Sequence, residues 1–277
     1  MKIWAHTLVK NEERYLWYSV ASVVDAVDRV LLWDSGSSDN TFEIAKKLEE
    51  AFPQKIALRK VRQENIYDFT RIRQEMLDAT ESDWFLVVDG DEIWWDESIR
   101  LLCETIQVKG DDIESIVVPN YILVGDVFHY QERAAGRYKL AGRMGHYNLR
   151  AVNRKIEGLK SDKPHGTWGW VDGSGKMIQD RDQSKVIYVD VPYLHASFLR
   201  RSRASNHQVP KRARKLKHEI GIPFPRDFYY PEVFFRERPE IVKPVWEKMD
   251  RGFFFRALFE TPLKKIKRRV WRGSVGY

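Results

Sequence analysis

The run Asp89-Gly90-Asp91-Glu92 places three carboxylates within four residues, directly after the apolar stretch 84–88 (Trp-Phe-Leu-Val-Val). A second acidic loop, Asp34-Ser35-Gly36-Ser37-Ser38-Asp39, follows the apolar run 29–33 in the same way. Carboxylates gathered at one mouth repel one another, which destabilises a bare site and favours a divalent cation. Oxygen ligands with few nitrogen or sulfur neighbours suit magnesium or manganese better than zinc. A cation only partly coordinated by protein keeps positions for phosphate oxygens. The same Asp-x-Asp spacing also serves as an ordinary turn or helix cap. Its place among the elements has to decide.

Those elements alternate. Residues 2–9, 29–33, 56–61 and 84–88 are short apolar runs rich in β-formers. Between them, residues 11–26 carry helical spacing through Leu16, Val20, Val23, Val24 and Val27. Residues 38–50 do so through Phe42, Ile44, Ala45 and Leu48, with N-cap chemistry at Ser38-Asp39-Asn40, and residues 68–79 form a third helical stretch. Strands alternating with helices of this length predict right-handed βαβ units and a mostly parallel sheet flanked by helices, an α/β fold. Ligands of such a sheet bind at the carboxyl ends of its strands, where both acidic loops lie. After residue 97 the alternation blurs. A helix over 98–108 and strands over 115–119 and 186–191 are expected, with a Gly- and aromatic-rich stretch without clean period at 120–180. The expected division is an α/β domain over 1–196 and a basic, partly helical extension over 197–277.

Three motifs in this order resemble the family 2 glycosyltransferases of the GT-A (Rossmann-like) fold: Val9-Lys10-Asn11-Glu12-Glu13, then Asp34-Ser35-Gly36-Ser37-Ser38-Asp39-Asn40-Thr41, then Asp89-Gly90-Asp91-Glu92. The nearest subgroup opens with a KNEE-like turn and carries an Asp-x-Asp-Glu motif. Arg73-Gln74 stands where that subgroup usually has Arg-Asn. The resemblance is close over about 1–95, loose over 96–196 and slight beyond. It implies a nucleotide-binding half followed by an acceptor half. Leu8, Val9, Asn11, Glu12 and Asp34 would hold the nucleoside, Arg73 would lie near the nucleotide, and Asp89 and Gly90 near the ribose or a metal-bound water. Asp91 would ligate Mn2+ or Mg2+ bridging the diphosphate, with Asp89 contributing directly or through water. His195, just beyond the last strand, would be a further ligand; a lone histidine is otherwise more often structural. The reaction implied moves a sugar from a UDP-, GDP- or dTDP-sugar to a hydroxyl of a growing glycan or lipid-linked saccharide, with inversion.

An inverting transferase needs a proton acceptor. Related sequences often follow an Arg-rich strand with His-Glu; here Arg150-Ala151-Val152-Asn153-Arg154 precedes Pro164-His165-Gly166-Thr167, without the glutamate. His165, Asp162 and Asp172 are the candidates. Trp168 and Trp170 could offer a platform for a sugar ring, or simply fill a core. The competing enzyme class is a nucleotidyltransferase, which would show a Gly-rich phosphate loop where this chain has Lys10-Asn11-Glu12-Glu13-Arg14. A transferase fold that binds a nucleotide-sugar but turns over weakly is the other alternative.

Composition narrows the rest. In 277 residues, 43% hydrophobic content is ample for a core. The single cysteine, Cys103, excludes an internal disulfide or a cysteine zinc cluster. The N-terminus lacks a signal peptide's apolar core and no window approaches ~18 uninterrupted apolar residues. A soluble cytoplasmic protein is expected. The net charge of +7 is uneven: residues 251–277 alone carry +7 and residues 200–217 hold eight bases and no acid, while residues 1–199 are acidic. A uniformly basic nucleic-acid binder is therefore not expected. Arg200, Arg201 and Arg203 could close over a diphosphate or form a solvated face. The aromatic and cationic stretch 251–272 suits the interface of an anionic membrane, or else is a solubilising tail.

Overall fold

A computed structural model of the chain describes residues 1–164, 166–204 and 217–270. His165, the bases Lys211, Arg212, Arg214 and Lys215, and the end of the tail from Trp271 onward lie outside the described residues.

The strands run β1 Ile3–Val9, β2 Arg29–Asp34, β3 Ile56–Lys60, β4 Trp84–Val87, β5 Glu92–Trp94, β6 Ser115–Val124, β7 Asp126–Tyr130, β8 Tyr138–Leu140 and β9 Arg143–Gly145. They continue with β10 Tyr147–Asn153, β11 Lys160–Asp162, β12 Gly169–Val171, β13 Val186–Tyr188, β14 Tyr193–His195 and β15 Ile222–Pro223. The described helices are α1 Leu16–Ala21, α2 Thr41–Ala51, α3 Asp68–Asp78, α4 Asp96–Lys109 and α5 Arg251–Val270, besides short 3-10 turns.

The first half is the expected βαβ alternation. Strands β3, β2, β1 and β4 are neighbours and all parallel. Their residues alternate between two buried faces. Ile3, Ala5 and Val9 of β1 join the core with Leu16, Val20, Ile44, Leu48, Leu102 and Ile106 of α1, α2 and α4. Trp4 and Leu8 face the other way, packing with Leu31, Trp33 and the α3 residues Ile72 and Met76. Burial on both faces is why these strands read as unbroken apolar runs.

Beyond β4 the sheet becomes mixed. β10 pairs antiparallel with both β4 and β6, and β7 pairs antiparallel with β6. The irregular stretch 120–180 thus contains six short strands, too brief for a two-residue period to stand out. The helix expected over 11–26 shrinks to the six wholly buried residues of α1. Its first turn is given up to a loop in which Asn11 takes φ 56°. At α2 the cap is Asp39, whose carboxylate accepts the Thr41 N–H at 2.9 Å, while the Asn40 side chain makes no cap bond.

The extension packs back on the sheet. β15 pairs with β7, and Val233, Phe234, Val242 and Val245 are buried in the same core as β1. Helix α5 is fastened by Arg268, which pairs with Glu219 at 2.5 Å, and by Thr261, whose hydroxyl accepts the Ile220 N–H at 2.8 Å. Among the described residues no helix is long and apolar enough to cross a membrane.

Candidate active site

The site forms where β1, β2 and β4 end side by side. Asn11 can take its left-handed conformation because a short amide side chain tolerates it. It then ties two loops together: its N–H donates to Ser37 Oγ at 2.9 Å, and its Oδ1 accepts the Ser38 N–H at 2.8 Å. Glu12 adds an N–H bond to Thr41 Oγ1 at 2.7 Å. Asp34 is wholly buried at the end of β2 and accepts the N–H groups of Gly36 and Ser37 and the Ser37 hydroxyl. Gly90 sits against β1 so closely that a Cβ would meet Val9 Cγ1 at 2.8 Å and Glu12 Cγ at 3.1 Å. The acidic loop after β4 can therefore approach the β1 loop only with glycine there.

Around this floor Glu12, Glu13, Asp89, Asp91 and Glu92 each face an arginine. Asp89 is the most open, and its two oxygens receive Arg73 and Arg150, each at 3.2 Å. Asp91 and Glu12 share Arg201, whose Nη1 lies 2.6 Å from Asp91 Oδ2 and 3.0 Å from Glu12 Oε1. Glu92 is sealed from solvent, pairs with Arg150 and accepts the Tyr193 hydroxyl at 2.9 Å. Burial lifts the Glu92 carboxyl above the ordinary range against the pull of Arg150. Glu13 holds Arg203. Arg73, Arg150 and Arg201 are all nearly inaccessible, so these are desolvated pairs whose partners depend on one another.

His195 arrives by strand register. β14 pairs antiparallel with β5 so that His195 faces Glu92. Its Nε2 then lies 3.6 Å from Asp91 Oδ2 and 3.9 Å from Glu92 Oε1, and the Ala196 N–H donates to the Asp91 carbonyl at 2.8 Å. A carboxylate oxygen and an imidazole nitrogen at that separation match the hard donor set of a magnesium or manganese ion. Among the described residues there is no group of three or more such side chains.

The three base candidates fare differently. Asp172 lies outside the carboxylate group, because its partners are the Ser174 hydroxyl and N–H, the Lys176 N–H and Arg181. The Ser174 hydroxyl, followed by the other donors against a burial penalty, holds its carboxyl well below the usual range. That leaves Asp172 a weak proton acceptor with a turn-locking role. Asp162 ends β11, which α3 supports through Gln74: Gln74 Oε1 accepts the Ser161 N–H at 2.8 Å. His165 falls outside the described residues. Trp170 is core, stacked edge-on to Phe85 at 5.0 Å. Trp168 lies 5.2 Å from the Arg73 guanidinium, which links the β11–β12 hairpin to Asp89.

Two members of the cluster escaped sequence reasoning. Arg150 is displaced by a bulge in β10, where the register against β6 slips between Leu149 and Ala151; bulges commonly re-aim a side chain beside a site. Tyr193 takes the Asn148 amide at 2.5 Å and Arg150 Nε at 3.2 Å while donating to Glu92. Only an arginine in the middle of a strand hinted at the first, and no local signal marks the second.

The sequence model described as glycosyl transferase family 2 matches residues 6–169, more than half of the chain. Solved structures similar in fold include S. aureus TarS 1–349, at 15% identity and TM-score 0.46, with 71% of this chain and 61% of that chain covered. The same TarS fragment in complex with UDP-GlcNAc aligns at 11% identity and TM-score 0.48, covering 70% and 58%. Glucosyl-3-phosphoglycerate synthase from Mycobacterium tuberculosis, in complex with Mn2+, UDP and phosphoglyceric acid, aligns at 19% identity and TM-score 0.45, covering 77% and 75%. The chain thus spans about three fifths of the TarS fragment. No curated protein matches it. With its family model covering the β1, β2 and β4 loops and the strands that bring Arg150 to them, the chain belongs to glycosyl transferase family 2.

Proposed function

We propose that the protein transfers a sugar, with inversion, from a nucleoside-diphosphate donor to a hydroxyl acceptor on a growing glycan or lipid-linked saccharide. The observation that carries the reading is the register that sets His195 3.6 Å from Asp91 at the ends of the parallel strands. Asp91 and His195 would hold Mn2+ or Mg2+, with Asp89 joining directly or through water. When bound, the ion offsets charge developing on the leaving diphosphate.

The chain's own residues have separate tasks. Leu8, Val9, Asn11 and Glu12 form the nucleoside floor. Asp34 would accept a base N–H at the end of β2, its carboxylate oriented by the Gly36 and Ser37 N–H groups and the Ser37 hydroxyl. Arg73 and Arg150 hold Asp89 from two sides. Arg201, already a donor to Asp91, is placed to turn toward phosphate oxygens. Asp162 and His165 remain the base candidates; Asp172, held by Ser174, Lys176 and Arg181, is disfavoured. Residues 1–196 serve as the catalytic domain, and the exposed side of α5 is a peripheral contact with an anionic, cytoplasmic membrane face.

Titration calorimetry with UDP, GDP and dTDP, with and without manganese, tests the core of this. Manganese should tighten one nucleotide at least about tenfold, and Asp91→Asn should remove that enhancement. Nucleotide binding indifferent to manganese, or unchanged in the variant, would refute the assignment.

A further inference from the structure

Beside the nucleotide site lies a cavity of about 580 Å3, within the size range of small-molecule sites. Its walls are residues 14–15 after the β1 loop, residues 125–127 between β6 and β7, residues 198–200 after β14, His218, and residues between 243 and 256 leading into α5. It shares none of the residues assigned to the nucleoside, yet it adjoins them. The Arg14 N–H donates to the carbonyl of Arg201 at 3.1 Å, and Arg201 holds Asp91.

Its lining is charged in a particular way. Five cations face it: Arg14, Arg200, Lys243, Lys248 and Arg256. Three acids also line it, and each is already engaged. Glu247 takes Arg14 at 2.5 Å. Asp126 accepts the His129 ring nitrogen at 2.6 Å and the Met249 N–H at 3.0 Å. Asp250 accepts the Phe253 N–H at 2.8 Å, at the start of α5. Arg256 is satisfied by Glu260 at 2.7 Å. Among the described residues, Arg200, Lys243 and Lys248 have no carboxylate in ion-pair range. Burial, and after it the charges of Arg256 and Lys264, holds the His218 imidazole on the same wall below its ordinary value. Tyr15, Phe198 and Phe253 add aromatic side chains to the lining.

We infer that this cavity is the acceptor subsite and that it takes a saccharide bearing a phosphate or a carboxylate. The inference rests on the sugar-transfer reading and adds the class of its acceptor. A neutral glycan gives three unmatched cations nothing to bind, whereas an anionic substituent gains charge-assisted hydrogen bonds from them. Aromatic side chains in the same lining suit the apolar side of a sugar ring. The donor's diphosphate is placed elsewhere, at Asp91 and His195, so the cavity's positive field acts on the second substrate.

The experiment is calorimetry on the full chain with glucose, glucose 6-phosphate and glucuronate, comparing wild type with the double variant Lys243→Glu, Lys248→Glu. Both lysines are exposed and hold no packing position. At least one charged probe should bind wild type about tenfold or more tighter than glucose, and the charge reversals should erase that preference. The phosphate and carboxylate arms identify which anion is read. UDP binding with manganese should be equal in the two proteins. Equal affinities for the three probes, or an anion preference untouched by the reversals, would overturn the assignment. Failure of the sugar-transfer reading looks different: no nucleotide binding in either protein, with the anion preference intact.

Discussion

At the scale of single residues, the site is a set of carboxylates held by buried guanidinium groups. Arg150 has the most to lose. It serves Asp89, Glu92 and Tyr193 together, and Glu92 is wholly enclosed. Removing one partner of a buried pair strands the other charge, which costs about 3–5 kcal/mol. Arg150→Met should therefore lower the unfolding free energy, read by urea titration, by an amount in that range. Arg203→Ala removes a side chain that is 60% exposed, and surface pairs contribute about 1 kcal/mol or less. Equal losses in the two variants would show that the Arg150 network is dispensable for folding.

At the scale of elements, the clearest pH dependence is that of α5 on the Arg268–Glu219 pair. Burial raises the Glu219 carboxyl, but the bidentate Arg268 and the Gln131 amide outweigh it, so the net shift is downward. A depressed carboxylate contributes stability that is present above its unfolded value and lost as pH falls through its folded one. Unfolding midpoints should accordingly drop as pH falls below the ordinary glutamate range, and Glu219→Gln should flatten that part of the profile. A variant with the same acid profile as wild type would free α5 from this anchor. The sequence composition marked 251–272 as aromatic and basic, but not which side would be outward. The pairing with Glu219 and the burial of Ala257 and Thr261 decide that.

At the scale of the whole molecule, that decision leaves Phe255, Phe259, Leu263, Ile266 and Val270 exposed along one side of α5, at helical spacings of three and four. Lys265, Lys267 and Arg269 accompany them. Apolar side chains inserted at the headgroup level, with about 1 kcal/mol from each nearby basic residue, should give salt-sensitive binding to anionic vesicles. Phe259→Glu with Leu263→Glu should abolish co-sedimentation with such vesicles and leave nucleotide affinity unchanged. Undiminished sedimentation of the variant would remove the membrane contact. The acceptor cavity borders the first turn of the same helix, at Gly252, Phe253 and Arg256, so docking would bring the cavity to the surface where a lipid-linked acceptor lies.

The parallel half of the sheet, the helices α2, α3 and α4, the two acidic loops and the turn at 9–13 were all legible along the chain. Each of these is written in a local period or a short motif: doubly buried strands give apolar runs, and one-sided helices give a 3.6-residue stripe. What only the tertiary structure decided is which distant residues meet those loops. Arg150 reaches Asp89 through an antiparallel pairing and a bulge, His195 reaches Asp91 through the register of a three-residue strand, and Arg201 reaches Asp91 from 110 positions away. Strand register across such separations is settled by packing of whole faces, since a slip of one residue would turn every side chain over. No local period records it.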